Sequence, residues 1–290
     1  MDDLLLTMIG LGLAGSVFAL KLAQALPFGP AQLTLIPRER RRIAQALVAM
    51  DVAVPLVALL VALVVRPAAA TTIGVAIAAA SPAAPLAIMS AVNAGGRPQY
   101  VLGLHLTAAL LAPVTVPATL ELLGRALRFD GAVDPAAVAR QVALAVFLPT
   151  GLGIALRWWR PALADRLVGP LTRGGELVLL AVLLLVVAGT FRSLLAFGPR
   201  SYLAVVLLVA GALTAGQLLG PARREDRTAL ALECAARNPG LALLIASFNF
   251  PRGTVLHVLI PYLLAAGLAS TVYARWRARH RPGRDDSSKT

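Results

Sequence analysis

The sequence predicts an all-α integral membrane protein of about nine transmembrane helices. Three observations lead there. Of 290 residues, 58% are hydrophobic and 14% are charged, whereas a soluble globular domain has about 45–50% apolar and about 25% charged residues. The mean hydropathy is +0.78, and the apolar residues fall into runs of roughly 20, the length that crosses a ~30 Å hydrocarbon core as a helix. The runs lack the alternation of an outer-membrane barrel, so helices are left as the spanning structure that satisfies its own backbone.

The candidate spans, in order, are Leu4–Leu26, Ile43–Val65, Thr71–Val92, Tyr100–Leu123, Ala136–Trp158, Leu171–Thr190, Tyr202–Leu219, Thr228–Phe248 and Thr254–Trp276. Each is long enough to cross with some tilt. Pro and Gly punctuate the gaps, as in Arg66-Pro67 and Phe250-Pro251-Arg252-Gly253. The start, Met1-Asp2-Asp3, is acidic where a cleavable signal peptide wants a basic start, so the first run is expected to persist as a helix. Residues 1–276 read as a single polytopic membrane domain, and 277–290 as a disordered, basic cytoplasmic tail.

The net charge of +13 is carried by short basic clusters between the apolar runs, which excludes nucleic acid as the expected partner and points to the lipid bilayer. With nine spans and a cytoplasmic C-terminus, the inside segments hold 18 Lys and Arg and the outside segments 7. The inside clusters are Arg38–Arg42, Arg97, Arg157–Arg173, Arg223–Arg227 and the tail from Arg275. This asymmetry places the chain in the inner (plasma) membrane type with its N-terminus outside. Trp158, Trp159 and Trp276 then fall at cytoplasmic ends, as aromatic anchors do. A single cysteine, Cys234, precludes an internal disulfide.

Charges inside spans are the informative positions, because each costs several kcal/mol in the membrane or must find a partner. Asp51 lies in the second span, four residues before Pro55; Glu233 and Arg237 lie in the eighth. On a regular helix Glu233 and Arg237 share a face and are placed to pair. Such a pair is either a neutralised tie between helices or part of a site at the bilayer midplane. The run Asn238-Pro239-Gly240 favours the site, since it reads as a broken helix whose freed backbone groups can bind a ligand. Ser81-Pro82-Ala83-Ala84-Pro85 marks a second unwound stretch in the third span. Two interrupted spans at corresponding places in two halves are the sequence pointer to a secondary transporter's binding site. His105, in the fourth span, is either a satisfied hydrogen-bonding group or a proton carrier. Glu121 and Glu176 read as interfacial, and Asn249 as the cap of the eighth span. The sequence contains no zinc-protease, serine-hydrolase or P-loop motif and no cysteine–histidine metal spacing, so no catalytic residue is assigned and no enzyme is expected.

The stretch from Thr228 through Glu233-Cys234-Ala235-Ala236-Arg237-Asn238-Pro239-Gly240-Leu241-Ala242 resembles the signature of the bile acid:sodium symporter family, in which a Glu precedes a Gln-Asn-x-Gly-Leu-Ala run on a broken crossing helix. Val75 to Pro82 resembles the approach to that family's first break, and Leu111-Ala-Pro113-Val-Thr-Val-Pro117 the helix after it. The resemblance implies an inverted-repeat transporter fold with two broken crossing helices, the first helix of the ten-helix form being missing. Repeat 1 then covers about residues 1–123 and repeat 2 about 136–276. It also implies core and panel domains that move against each other to carry an organic anion with sodium.

The departures lie at the sodium ligands the resemblance implies. A Gly-Gly-Thr-x-Ser-Asn run is replaced by Ala83, Ala84, Pro85, Leu86, Ala87 and Ile88; a hydroxyl ligand is replaced by His105; and the Gln after the Glu is Arg237. A Gln on an earlier helix falls near Met50, beside Asp51, and Glu233 alone is kept. Sodium wants oxygen ligands, which Ala, Ile and Arg side chains do not supply. The expected activity is secondary transport of a small organic anion by alternating access, sodium-independent or proton-coupled, with no cofactor. Arg237 is the expected stand-in for the cation, held by Glu233 and Asp51. The expected binding residues are Glu233, Arg237, Asn238, Asp51, His105, Ser81, Pro82, Pro85, Pro239 and Gly240. A uniporter or channel, a non-transporting sensor or scaffold, and an intramembrane enzyme stay open as alternatives. Substrate identity and oligomeric state are not legible.

Overall fold

The computed structural model describes residues 3–29, 39–129, 134–250 and 255–279. The first residues of the tail expected to be disordered from 277 instead complete the last helix, where Arg277 is buried and donates to the Thr228 hydroxyl at 2.7 Å; the rest of that tail and the Pro251–Gly253 turn lie outside the described residues. The described chain is helical: α1 Asp3–Ala25, α2 Arg40–Val65, α3 Ala69–Ala80, α4 Pro85–Asn93, α5 Pro98–Leu127, α6 Pro135–Trp159, α7 Pro161–Leu195, α8 Pro199–Leu219, α9 Arg224–Ala235, α10 Pro239–Asn249 and α11 Leu256–Arg279. Seven of them, α1, α2, α5, α6, α7, α8 and α11, are long and apolar enough to cross a membrane. Proline opens α4, α5, α6, α7, α8 and α10, where its missing N–H costs nothing and its fixed φ suits the first turn.

The outside of the bundle is apolar. Val64 on α2, Leu184 on α7 and Leu268 on α11 are each more than 60% exposed, the arrangement expected where the surrounding solvent is lipid. The inside is built from small residues. Ala76, Ala78 and Ala79 of α3 and Ala229, Ala231 and Ala235 of α9 are fully buried, and small side chains let helix backbones approach closely in a bilayer. Gly216 of α8 packs on α9 so tightly that a Cβ there would lie 2.5 Å from the Ala231 Cα. On one side α1 packs along α7 and against α6 and α10; on the other, α5, α8 and α11 pack on the broken pairs α3–α4 and α9–α10.

The expected third and eighth spans are each two half-helices. The residue before each proline is pushed out of the α region by the Pro ring. Ser81, Ala84 and Asn238 accordingly take extended backbone angles. The second break comes earlier than expected, at Ala236–Asn238, because Pro239 and Gly240 form the first turn of α10.

Two further expectations are corrected. The loop expected around Arg160, Arg166 and Arg173 is largely helix: α7 begins at Pro161 and runs 35 residues, through Pro170. The second span is not a uniform α-helix. Its residues Ala49–Ala53 form a π-turn, which carries Asp51. A second π-turn lies at Ala143–Phe147 in α6, and each is followed by a proline, Pro55 or Pro149. π-turns insert one residue into the hydrogen-bond ladder and recur at functional sites.

Candidate functional site

The two breaks meet. The Ala84 N–H donates to the Ala236 carbonyl at 2.7 Å and the Asn238 N–H to the Pro82 carbonyl at 2.7 Å, an antiparallel bridge centred on Ala83 and Arg237. Each unwound segment thus satisfies backbone groups the other left open, as buried backbone requires. Tyr262 of α11 closes the second break: its hydroxyl accepts from the Arg237 N–H at 3.0 Å and donates to the Ala235 carbonyl at 2.8 Å. The Asn238 side chain caps α10 by accepting from the Leu241 N–H at 3.1 Å. Ser81 bonds back to the Ile77 carbonyl at the end of α3.

Arg237 and Glu233 do not pair. Ala236 leaves the helix at φ −92°, ψ 77°, so the i, i+4 geometry of a continuous helix is lost between them. The Arg237 Nη2 donates instead to the backbone carbonyls of Met50 in the π-turn and Ala79 at the end of α3, the latter at 2.8 Å. Its Nε and Nη1 have no partner among the described residues. Asp51, one residue from Met50, is near enough for its charge to act on Arg237, but no ion pair joins them. The two carbonyl oxygens that could serve a hard cation here are occupied by the guanidinium.

Glu233 turns the other way. Its Oε2 lies 3.5 Å from His105 Nδ1, and His105 Nε2 lies 3.3 Å from the ammonium of Lys21. Lys21 is 2% exposed, His105 4% and Glu233 0%. An ammonium can only donate, so His105 Nε2 accepts and Nδ1 carries the proton towards Glu233. Lys21 was not among the expected site residues, although a lone lysine in an apolar span is a signal in itself.

A cavity of about 300 Å³ lies against the crossing. α1 and α7 supply one wall through Val17, Leu20, Lys21, Glu176 and Leu179; Leu263 to Thr271 of α11 supply another. Its polar end holds Arg237, Asn238 and the N-terminal residues of α4 and α10, including Pro85, Pro239 and Gly240. Glu176, expected at an interface, lines this cavity, and it is no longer near a helix end because α7 begins three turns earlier, at Pro161. Of the other expected site residues, Pro82 contributes its carbonyl to the bridge between the breaks, while Ser81, Asp51, His105 and Glu233 do not line the cavity. Asn249 lies elsewhere, at the end of α10, where its amide bonds Gln141 of α6 and the Ile245 carbonyl.

Outside the apolar spans, the turn between α4 and α5 is tied down by charge. Arg97 makes two hydrogen bonds to Asp226, at 2.9 and 2.7 Å, and one to Glu39 at 3.1 Å. The bonds to Asp226 raise the pKa of the Arg97 guanidinium. Burial pushes the Glu39 carboxyl up, but hydrogen bonds from Arg97 and Arg42 outweigh it and hold the group below its ordinary value.

No curated protein matches the chain significantly. Residues 28–197, more than half of the sequence, match the model of the Sodium Bile acid symporter family. The matched segment holds the first break and His105, and it ends before the second break. Together with the apolar helices, it makes this a multi-pass membrane protein of a transporter family. The chain belongs to the Sodium Bile acid symporter family.

Proposed function

We propose that the protein is a secondary active transporter that moves a small organic anion by alternating access, without sodium. The observation that carries this reading is the placement of Arg237. Its guanidinium lies at the polar end of the cavity with Nε and Nη1 unpartnered among the described residues, while Nη2 holds backbone oxygens that a metal cation would otherwise use. An anion is drawn to this fixed positive charge, and a carboxylate oxygen can accept a charge-assisted hydrogen bond from Nη1 or Nε. The N-termini of α4 and α10 at the same end add the positive ends of two helix dipoles.

On this reading each broken pair counts as one crossing, giving nine crossings in two inverted repeats, with the C-terminus cytoplasmic in the inner (plasma) membrane. Coupling, where present, runs through protons carried by Glu233, Asp51 or His105. The test begins with thermal unfolding of purified protein across a panel of organic anions, since a ligand at 100 times its dissociation constant stabilises by roughly 2.7 kcal/mol. Uptake of a stabilising anion is then measured in proteoliposomes, with sodium or potassium and with or without a pH gradient. Sodium-independent accumulation against the anion's gradient is the expected result. Strong sodium dependence of the wild type would overturn the sodium-free reading, and uptake that only equilibrates would indicate a uniporter or channel.

A further inference from the structure

We infer that Lys21 is a tethered cation: delivered from α1 across the cavity wall, its ammonium supplies, through His105, the counter-charge for Glu233 on the crossing helices. The assignment stands on the charge geometry, and only its consequence for transport rests on the proposed function.

Glu233 is fully buried on α9, and its carboxylate is poorly served where it lies. Among the described residues Oε1 has no partner, and Oε2 has only the 3.5 Å contact to His105. A buried carboxylate so placed needs a nearby positive charge, since removing one member of a buried pair is strongly unfavourable. Arg237, four residues on, is turned away to the Met50 and Ala79 carbonyls. Glu176, the acidic residue that lines the cavity, is exposed on α7 and makes no ion pair among the described residues. Asp51 interacts with Arg237. That leaves Lys21, fully buried and 3.3 Å from the far nitrogen of the imidazole that touches Glu233. The electrostatic attraction between Lys21 and Glu233 is felt across the ring.

The position of Lys21 gives the contact a meaning beyond packing. α1 packs with α7 and α6 and touches the crossing through α10, whereas His105 belongs to α5 and Glu233 to α9, the other half of that broken pair. Near the contact a small apolar cluster, with Ala25, Phe28 and Leu106 at its centre, closes the end of α1 against α5. The cavity lies where α1 and α7 face the crossing and α11, and Lys21 lines it. If α1 moves relative to the crossing, the ammonium withdraws from His105, and Glu233 must take a positive charge from solution. Lys21 thus makes the charge state of the crossing depend on where α1 sits.

The experiment is chemical rescue combined with a double-mutant cycle, read as the unfolding temperature of the full-length protein in detergent. Lys21→Ala is expected to unfold on the order of 5–10 °C below wild type. Ethylammonium chloride, a soluble copy of the missing N–H donor, is expected to restore part of that loss, while tetramethylammonium chloride, which has no N–H, restores none. Removing the carboxylate as well, in Lys21→Ala/Glu233→Gln, is expected to recover stability and abolish the ethylammonium effect. An unchanged unfolding temperature for Lys21→Ala, equal responses to the two ammonium salts, or no recovery in the double variant would each overturn the assignment. Should Lys21→Ala fail to fold, the double variant must fold, and its failure overturns the assignment too. None of these measurements involves transport, so an absence of uptake would count against the proposed function alone.

Discussion

Glu233 and Arg237 lie four residues apart and serve different neighbours: the carboxylate faces His105 and the guanidinium takes the carbonyls of Met50 and Ala79. The helix break at Ala236 separates them. One buried residue therefore stitches three segments together, the π-turn of α2, the end of α3 and the second break.

Arg237→Gln should lower stability by about 1–3 kcal/mol, the cost of leaving buried polar groups without partners. The glutamine amide is too short to reach the acceptors that the guanidinium holds. Thermal unfolding in detergent, with wild type alongside, measures the loss, and an unchanged midpoint would mean the two carbonyls find other donors.

Tyr262→Phe should cost a similar amount, about 1–3 kcal/mol. The hydroxyl is the group that both receives the Arg237 N–H and satisfies the Ala235 carbonyl at the break. The ring itself would stay packed, so the loss reports the hydrogen bonds. Hydrogen exchange at Arg237 should rise with it, which localises the effect to the break.

Gly216→Val should destabilise by at least about 1–3 kcal/mol, the usual cost of overpacking. Even a bare Cβ would meet the Ala231 Cα at 2.5 Å and the Leu230 carbonyl oxygen at 2.7 Å. Both contacts are backbone, so α8 and α9 must separate. Reduced yield of folded protein and a lower unfolding temperature are the readouts, with Gly151→Val, where a Cβ meets nothing within 4 Å, as the control.

The cluster of Glu39, Arg97 and Asp226 gives a pH dependence with a definite sign. The Glu39 pKa is depressed by its arginine partners. Its stabilising contribution is therefore fully present above the ordinary glutamate value of about 4.3 and disappears as pH falls through the lowered folded value. Unfolding temperatures measured from pH 7 down to pH 3 should show an acid-side loss that is smaller in Glu39→Gln. An equal loss in both proteins would remove Glu39 from the account.

Membrane insertion, the helical class and the places where helices fail were legible in the sequence because they are one-dimensional. Hydropathy is summed along a run, and a proline acts on its immediate neighbours. Ser81-Pro82 and Asn238-Pro239 mark the two breaks, whereas Pro113, Pro117, Pro170 and Pro261 stay inside continuous helices. The long α7 was hidden because its first turns are polar and basic, so an apolar window starts too late.

Partnerships were legible only as possibilities. The spacing of Glu233 and Arg237 suggested a pair because a continuous helix was assumed between them, and the same sequence that breaks the helix undoes the pair. Lys21 stood out as a charge in an apolar run, but nothing near it in the chain names a partner; His105 is 84 residues away and Glu233 another 128. The sequence by itself determined that these charges are buried in a membrane protein and that two helices unwind. Which charge meets which was decided by tertiary structure, because a pairing depends on which faces of separate helices arrive at the crossing.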